Sequence, residues 1–149
     1  MRQATQDWLK MVSARAAVAF MGGHDLPRNS AAYATIAFLA RDLARRGYLP
    51  ISGGGPGAME ATHLGASHEN ASLAGLERSL KQLARLPELP RNLQKIIAPD
   101  GTVNRRLVNQ AHAWMLPADR IRRRVKNPGE SLAIPTWLYG HEPTTLFAT

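Results

Sequence analysis

Ser52-Gly-Gly-Gly-Pro-Gly-Ala-Met-Glu60 decides how the rest of the chain is read. Four glycines in the five positions Gly53 to Gly57 let a backbone turn sharply and bring its N–H groups close to a ligand. A helix that starts directly after such a turn aims its positive end at the same point, a combination that favours a phosphate. Before the turn, Tyr48 to Ser52 is a short apolar segment; after it, Ala58 to about His68 reads as helix. Two phosphate-binding patterns are tested on these residues. A Walker A loop needs Lys and then Ser or Thr after its last glycine, and Gly57 is followed by Ala58 and Met59, which excludes that class. Gly53, Gly55 and Ala58 fit the dinucleotide pattern G-x-G-x-x-A, but the loop follows the chain's second strand and no third strand ends in an acid about 20 residues later. NAD and FAD are disfavoured on that ground, and no cofactor is expected.

Upstream, Asn29 or Ser30 caps a predicted helix in which Tyr33, Ile36, Ala37, Ala40, Leu43 and Ala44 recur at helical spacing. Arg41, Asp42, Arg45 and Arg46 lie mostly off that stripe, and Gly47 supplies a stop. Arg15 to Gly23 is an apolar run closed by two glycines, the pattern of a buried parallel strand. Thr5 to Ala14, with Trp8, Leu9, Met11 and Val12, reads as a short packing helix. Downstream, Leu73, Leu76, Leu80 and Leu83 mark an amphipathic helix stopped by Pro87 and Pro90, and Val103, Leu107, Ala111 and Trp114 mark another. A third strand lies at Leu132 to Ile134, ahead of Pro135. Strands alternating with helices predict an α/β fold: a Rossmann-like parallel sheet of three readable strands flanked by helices, with a helical insertion before the third strand.

The 149 residues make one domain the natural expectation, with residues 70–128 a helical, basic insertion inside it. The net charge of +8 is uneven: Arg91 to Lys126 holds nine Lys or Arg against Asp100 and Asp119, so most of the excess belongs to that segment. The absence of cysteine excludes disulfides, thiolate metal sites and a cysteine nucleophile. The longest apolar run, Ala16 to Met21, is far short of the roughly 20 residues that span a bilayer. With no signal-peptide pattern at Met1, the chain is expected in the cytoplasm and away from membranes.

Ligands of parallel sheets gather beyond the carboxyl ends of the strands. Three loops should meet there: Gly22-Gly23-His24-Asp25, the turn Ser52 to Gly57, and Gly140-His141-Glu142. Gly22, Gly23, Ser52, Gly53, Gly54, Gly55, Pro56 and Gly57 are the expected phosphate and nucleotide contacts, and Arg28 is a phosphate clamp at the start of the first helix. Glu60, His24, His141 and Glu142 are the candidates for acid–base work; Glu60 in the first helical turn also suits the macrodipole without doing chemistry. His63 and His68, five apart, do not share a helix face as ligands should, His112 has no partner, and no metal site is expected.

Gly22-Gly23, the helix end Leu43 to Tyr48 and the stretch Ser52 to Ala66 together resemble the first half of a LOG (LONELY GUY) protein, a lysine-decarboxylase-like family of nucleotide phosphoribohydrolases. Ile134 to Pro143 is similar to the third strand and loop of a longer subgroup. The resemblance implies a doubly wound nucleotide-binding fold, with Gly53 to Gly57 and Glu60 on the family's first glycine motif. Active members hydrolyse the base–ribose bond of a nucleoside 5'-monophosphate. Their second motif, P-G-G-x-G-T-x-x-E, has no counterpart here. Ala98-Pro-Asp-Gly-Thr102 is the nearest string, and Arg105 and Arg106 follow where the acid should be.

Three strands are few for a doubly wound sheet, so either the chain is a shortened version or a partner chain, such as a second copy, supplies more. Three functions follow: a nucleotide-binding module, an N-glycosidic hydrolase using substitute residues, or a nucleic-acid binder acting through Arg120-Ile-Arg-Arg-Arg-Val-Lys126. That run also reads as a solvated face or subunit contact that buries Ile121 and Val125, or as a phosphate lid over the glycine turn.

Overall fold

The structure, a computed structural model, describes residues 15–90 and 95–133. In chain order it contains β1 (Ala17–Phe20), α1 (Ala31–Arg45), β2 (Leu49–Ser52), α2 (Ala58–Ser67), α3 (Leu73–Leu83), α4 (Arg105–Arg124) and β3 (Leu132–Ala133). The three strands form one parallel sheet in the order β1-β2-β3, with Ala17 opposite Leu49 and Ile51 opposite Leu132. The α/β class read from the sequence is therefore the observed one. The helix expected at Thr5 to Ala14 and the continuation of β3 from Ile134 lie outside the described residues.

β2 is the central strand and is almost wholly buried, although it contains Pro50. The register explains why this proline is tolerated. Leu49 donates its N–H to Ala16 O, on the β1 side, so alternation turns position 50 to the other side. There β3 begins to pair only at Ile51, and the missing N–H of Pro50 costs no ladder bond. β1, expected to be buried, instead alternates exposed and half-buried residues, and Met21 beyond it is exposed. It is an edge strand among those described, and the main core gathers among the helices, away from it.

That core consists of Tyr33 and Ala37 from α1, Ala61 and Leu64 from α2, Leu76, Leu80 and Leu83 from α3, and Ala118 and Ile121 from α4. Residues 70–128 thus close the core of the domain and do not stand apart from it. α1 and α2 approach closely because small residues meet: a Cβ on Gly65 would lie 2.0 Å from the Ala37 carbonyl oxygen. Leu73, placed by its spacing on the apolar stripe of α3, is exposed. α4 starts at Arg105, not near Val103, which is exposed and bridges Ile97; the helix then runs through Pro117 and ends in the basic run. Cations in the last helical turn suit the macrodipole. Arg41, read as off the buried stripe, is itself buried: it donates Nε to His68 O at 3.0 Å and Nη2 to Ala71 O at 2.6 Å, meeting carbonyls left over at the end of α2. No helix among the described residues is long and apolar enough to cross a membrane.

Candidate functional site

The turns after β1 and β2 lie against each other at the carboxyl end of the sheet. Gly23 O accepts the N–H of Ala58 at 3.0 Å and of Leu26 at 3.2 Å. Gly57 has φ +69°, and a Cβ there would stand 2.0 Å from Gly23 O, so both backbone conformation and space require glycine. Part of the glycine content is therefore explained by packing alone. The start of α2 is chemically distinct from the other three helix starts. Ser30 Oγ accepts from Tyr33 N–H, Ser72 Oγ from Gly75 N–H and Asn104 Oδ1 from Leu107 N–H, whereas α2 begins on Gly57 with no side-chain cap. Gly54 donates to Ser52 Oγ at 3.2 Å; the N–H groups of Gly55, Gly57 and Met59 meet no acceptor among the described residues. An uncapped helix start with uncommitted donors, beyond the ends of parallel strands, suits an anion.

Arg28 is not at that surface. It is 2% exposed and turned inward, donating Nε to Glu60 Oε2 at 2.7 Å, Nη2 to Glu60 Oε1 at 2.5 Å and Nη1 to Trp114 O at 2.9 Å. Its guanidinium also lies 3.5 Å from the Trp114 ring centroid. The clamp role assigned to Arg28 is thereby corrected: a bidentate carboxylate and an indole face occupy the planar fork. Glu60 lies in the first turn of α2, as the macrodipole favours, and accepts in addition from the Tyr33 hydroxyl at 2.8 Å, so its oxygens are engaged and not ready for general-base chemistry. Burial, reinforced by the adjacent Glu60 carboxylate, pushes the Tyr33 phenol well above its ordinary range, and Tyr33 stays a neutral donor. These four residues join the chain before α1, α1 itself, the first turn of α2 and the middle of α4.

A second polar assembly escaped the sequence reading. His63, set aside as a metal ligand, is buried with Nε2 2.7 Å from Ser52 Oγ and Nδ1 2.7 Å from Ser131 Oγ. Burial, with the Arg122 guanidinium nearby, lowers its pKa to about 4, so near neutral pH the ring is uncharged, one nitrogen donating and the other accepting. The relay links the root of the glycine bend to the residue preceding β3. His63, Ser131 and Arg122 also line an open cavity of about 530 Å3 shared with Asp119, Arg123 and Glu130.

The remaining candidates are scattered. His24 Nε2 lies 3.1 Å from Asp25 Oδ2, with both side chains largely exposed. His141 and Glu142 lie outside the described residues. His68 is buried, with Nδ1 2.8 Å from Leu64 O and Nε2 2.9 Å from Ser79 Oγ. No group of three or more His, Asp or Glu able to hold a metal occurs among the described residues. Ala98 to Thr102 is a self-contained turn: Thr102 O accepts from Ala98 N–H, and Asp100 Oδ1 accepts from both N–H and Oγ1–H of Thr102. These bonds hold the Asp100 carboxyl below the usual carboxylate range. No protein-family model, curated protein or solved structure matches the chain.

Proposed function

We propose that the chain is a LOG-type nucleotide-binding module, acting in the cytoplasm, that holds the phosphate of a nucleoside 5'-monophosphate at the bend Ser52 to Gly57. The observation that carries this reading is the start of α2, which lacks the side-chain cap possessed by every other described helix and whose Gly55, Gly57 and Met59 N–H groups meet no acceptor among the described residues. Packing against Gly23 O requires glycine at the cap position 57 and so accounts for the missing side-chain cap; the reading rests on the N–H groups that this start leaves without an acceptor among the described residues. Binding without hydrolysis is favoured because Glu60, the carboxylate nearest the bend in sequence, is held by Arg28 and Tyr33 and is not placed to activate water.

Calorimetric titration of the chain with AMP, ribose 5-phosphate and adenosine tests the reading. Binding of the two phosphates and not of adenosine is expected, with no adenine released from AMP. Binding of adenosine alone, or of none of the three, overturns it; release of adenine overturns the non-hydrolytic part and restores the hydrolase reading.

A further inference from the structure

The two arginines buried among the described residues are matched to acceptors: Arg28 to Glu60, and Arg41 to the carbonyls of His68 and Ala71. On the surface, Arg122 is paired with Asp119 at 2.6 Å. A cavity of about 410 Å3 between the first turns of α3 and the end of α4 is different. Arg78, Arg124 and Lys126 all line it, no carboxylate does, and among the described residues none of the three makes an ion pair. Its polar floor is uncharged: Ser79 is neutral, and burial lowers the pKa of His68 and favours its neutral form. The positive end of α3 adds a field of the same sign.

We infer that this cavity binds a compact anion carrying two or more linked phosphates. Three cations around one concavity, with no carboxylate partner among the described residues, repel one another, and a multivalent anion removes that repulsion while gaining charge-assisted hydrogen bonds. The volume falls in the range of small-molecule sites, roughly 300 to 1,000 Å3. A nucleic-acid strand fits less well for two reasons. The basic run is not one continuous face, because Arg122 and Arg123 line the other cavity, where Asp119 and Glu130 interrupt the positive charge. The lining also contains no Phe, Tyr or Trp on which a base could stack, and the one ring there, His68, is buried with both nitrogens hydrogen-bonded. Recognition therefore rests on the phosphate chain and not on a base. The site is separate from the glycine bend, and its failure leaves the reading of that bend untouched.

The test is calorimetric titration of the full chain with sodium tripolyphosphate, ATP, inorganic phosphate and a single-stranded oligonucleotide, accompanied by amide spectra. Tripolyphosphate and ATP are expected to bind within about threefold of each other, with inorganic phosphate at least about tenfold weaker. Arg78→Ala and Arg124→Ala are each expected to weaken tripolyphosphate about tenfold, with Gly75 and Ser79 amides shifting in the wild type. Both side chains belong to exposed residues without an ion pair among the described residues, so the melting temperature should hold; Lys126→Ala provides a further variant, with a loss in the same direction. Absence of tripolyphosphate binding, unchanged affinity in all three variants, ATP binding far tighter than tripolyphosphate, or an oligonucleotide binding tighter than both would overturn the inference.

Discussion

The helices of this domain begin in two ways. α1, α3 and α4 each start on a side chain that turns back to satisfy the first turn, through Ser30, Ser72 and Asn104. α2 starts on bare backbone pressed against another loop, and it is held in place by polar groups further along: Glu60 to Arg28, His63 to Ser52 and Ser131, and Arg41 at its far end. A side-chain cap satisfies helix donors permanently, whereas a glycine start leaves donors for something else and needs anchoring from other directions. The contrast separates three helices whose first donors meet a side chain from one whose first donors meet none among the described residues, although Gly55 and Gly57 there are themselves buried.

The sharpest way to break the comparison is to give α2 the cap that the other helices have. Gly57→Ser supplies a good capping residue but puts a Cβ 2.0 Å from Gly23 O at φ +69°, so it is expected to destabilise by about 3 kcal/mol or more. Urea unfolding measures this, and a stabilised variant would show that α2 differs from the other helices only by its residue type. The next effect concerns the anchoring of α2. Because the folded pKa of His63 lies near 4, below the ordinary 6.5, the unfolded chain takes up a proton between these values that the folded protein does not. Stability therefore falls as pH falls from about 6.5 towards 4, by up to about 3 kcal/mol. His68 is shifted in the same direction. In His63→Gln the slope of unfolding free energy against pH over that window should flatten, and equal slopes in variant and wild type would contradict the relay. The smallest effect is at an ordinary helix start: Ser30→Ala is expected to cost about 1 kcal/mol, lowering the melting temperature by roughly 2–4 °C without changing the proposed nucleotide binding.

The succession β1, α1, β2, glycine bend, α2 was legible because each element announces itself within a few residues. Ser30 and Gly47 bracket α1, and the glycines at 53 to 57 separate β2 from α2. What the sequence could not show depends on partners far away in the chain. The position of Arg28 at the start of the first helix, beside the strand-end loops, points to a phosphate clamp, yet its partners are Glu60, 32 residues on, and Trp114, 86 residues on. The spacing of His63 from His68 speaks only to metal binding, while its ring meets Ser52 and Ser131 across the fold. The exposure of β1 was hidden for a similar reason, since an apolar run specifies a strand without specifying how many elements cover it. One local signal is present: Ser52, Glu60 and His63 all lie within six residues of Gly57, a cluster of polar groups around a turn that follows an apolar segment.

Titrating the labelled chain with AMP and following its backbone amide resonances tests the central claim most directly. The account predicts saturable shifts at Gly54, Gly55, Gly57 and Met59, reproduced by ribose 5-phosphate and absent with adenosine. Saturable shifts confined to other parts of the chain, with these four amides unmoved, would contradict it.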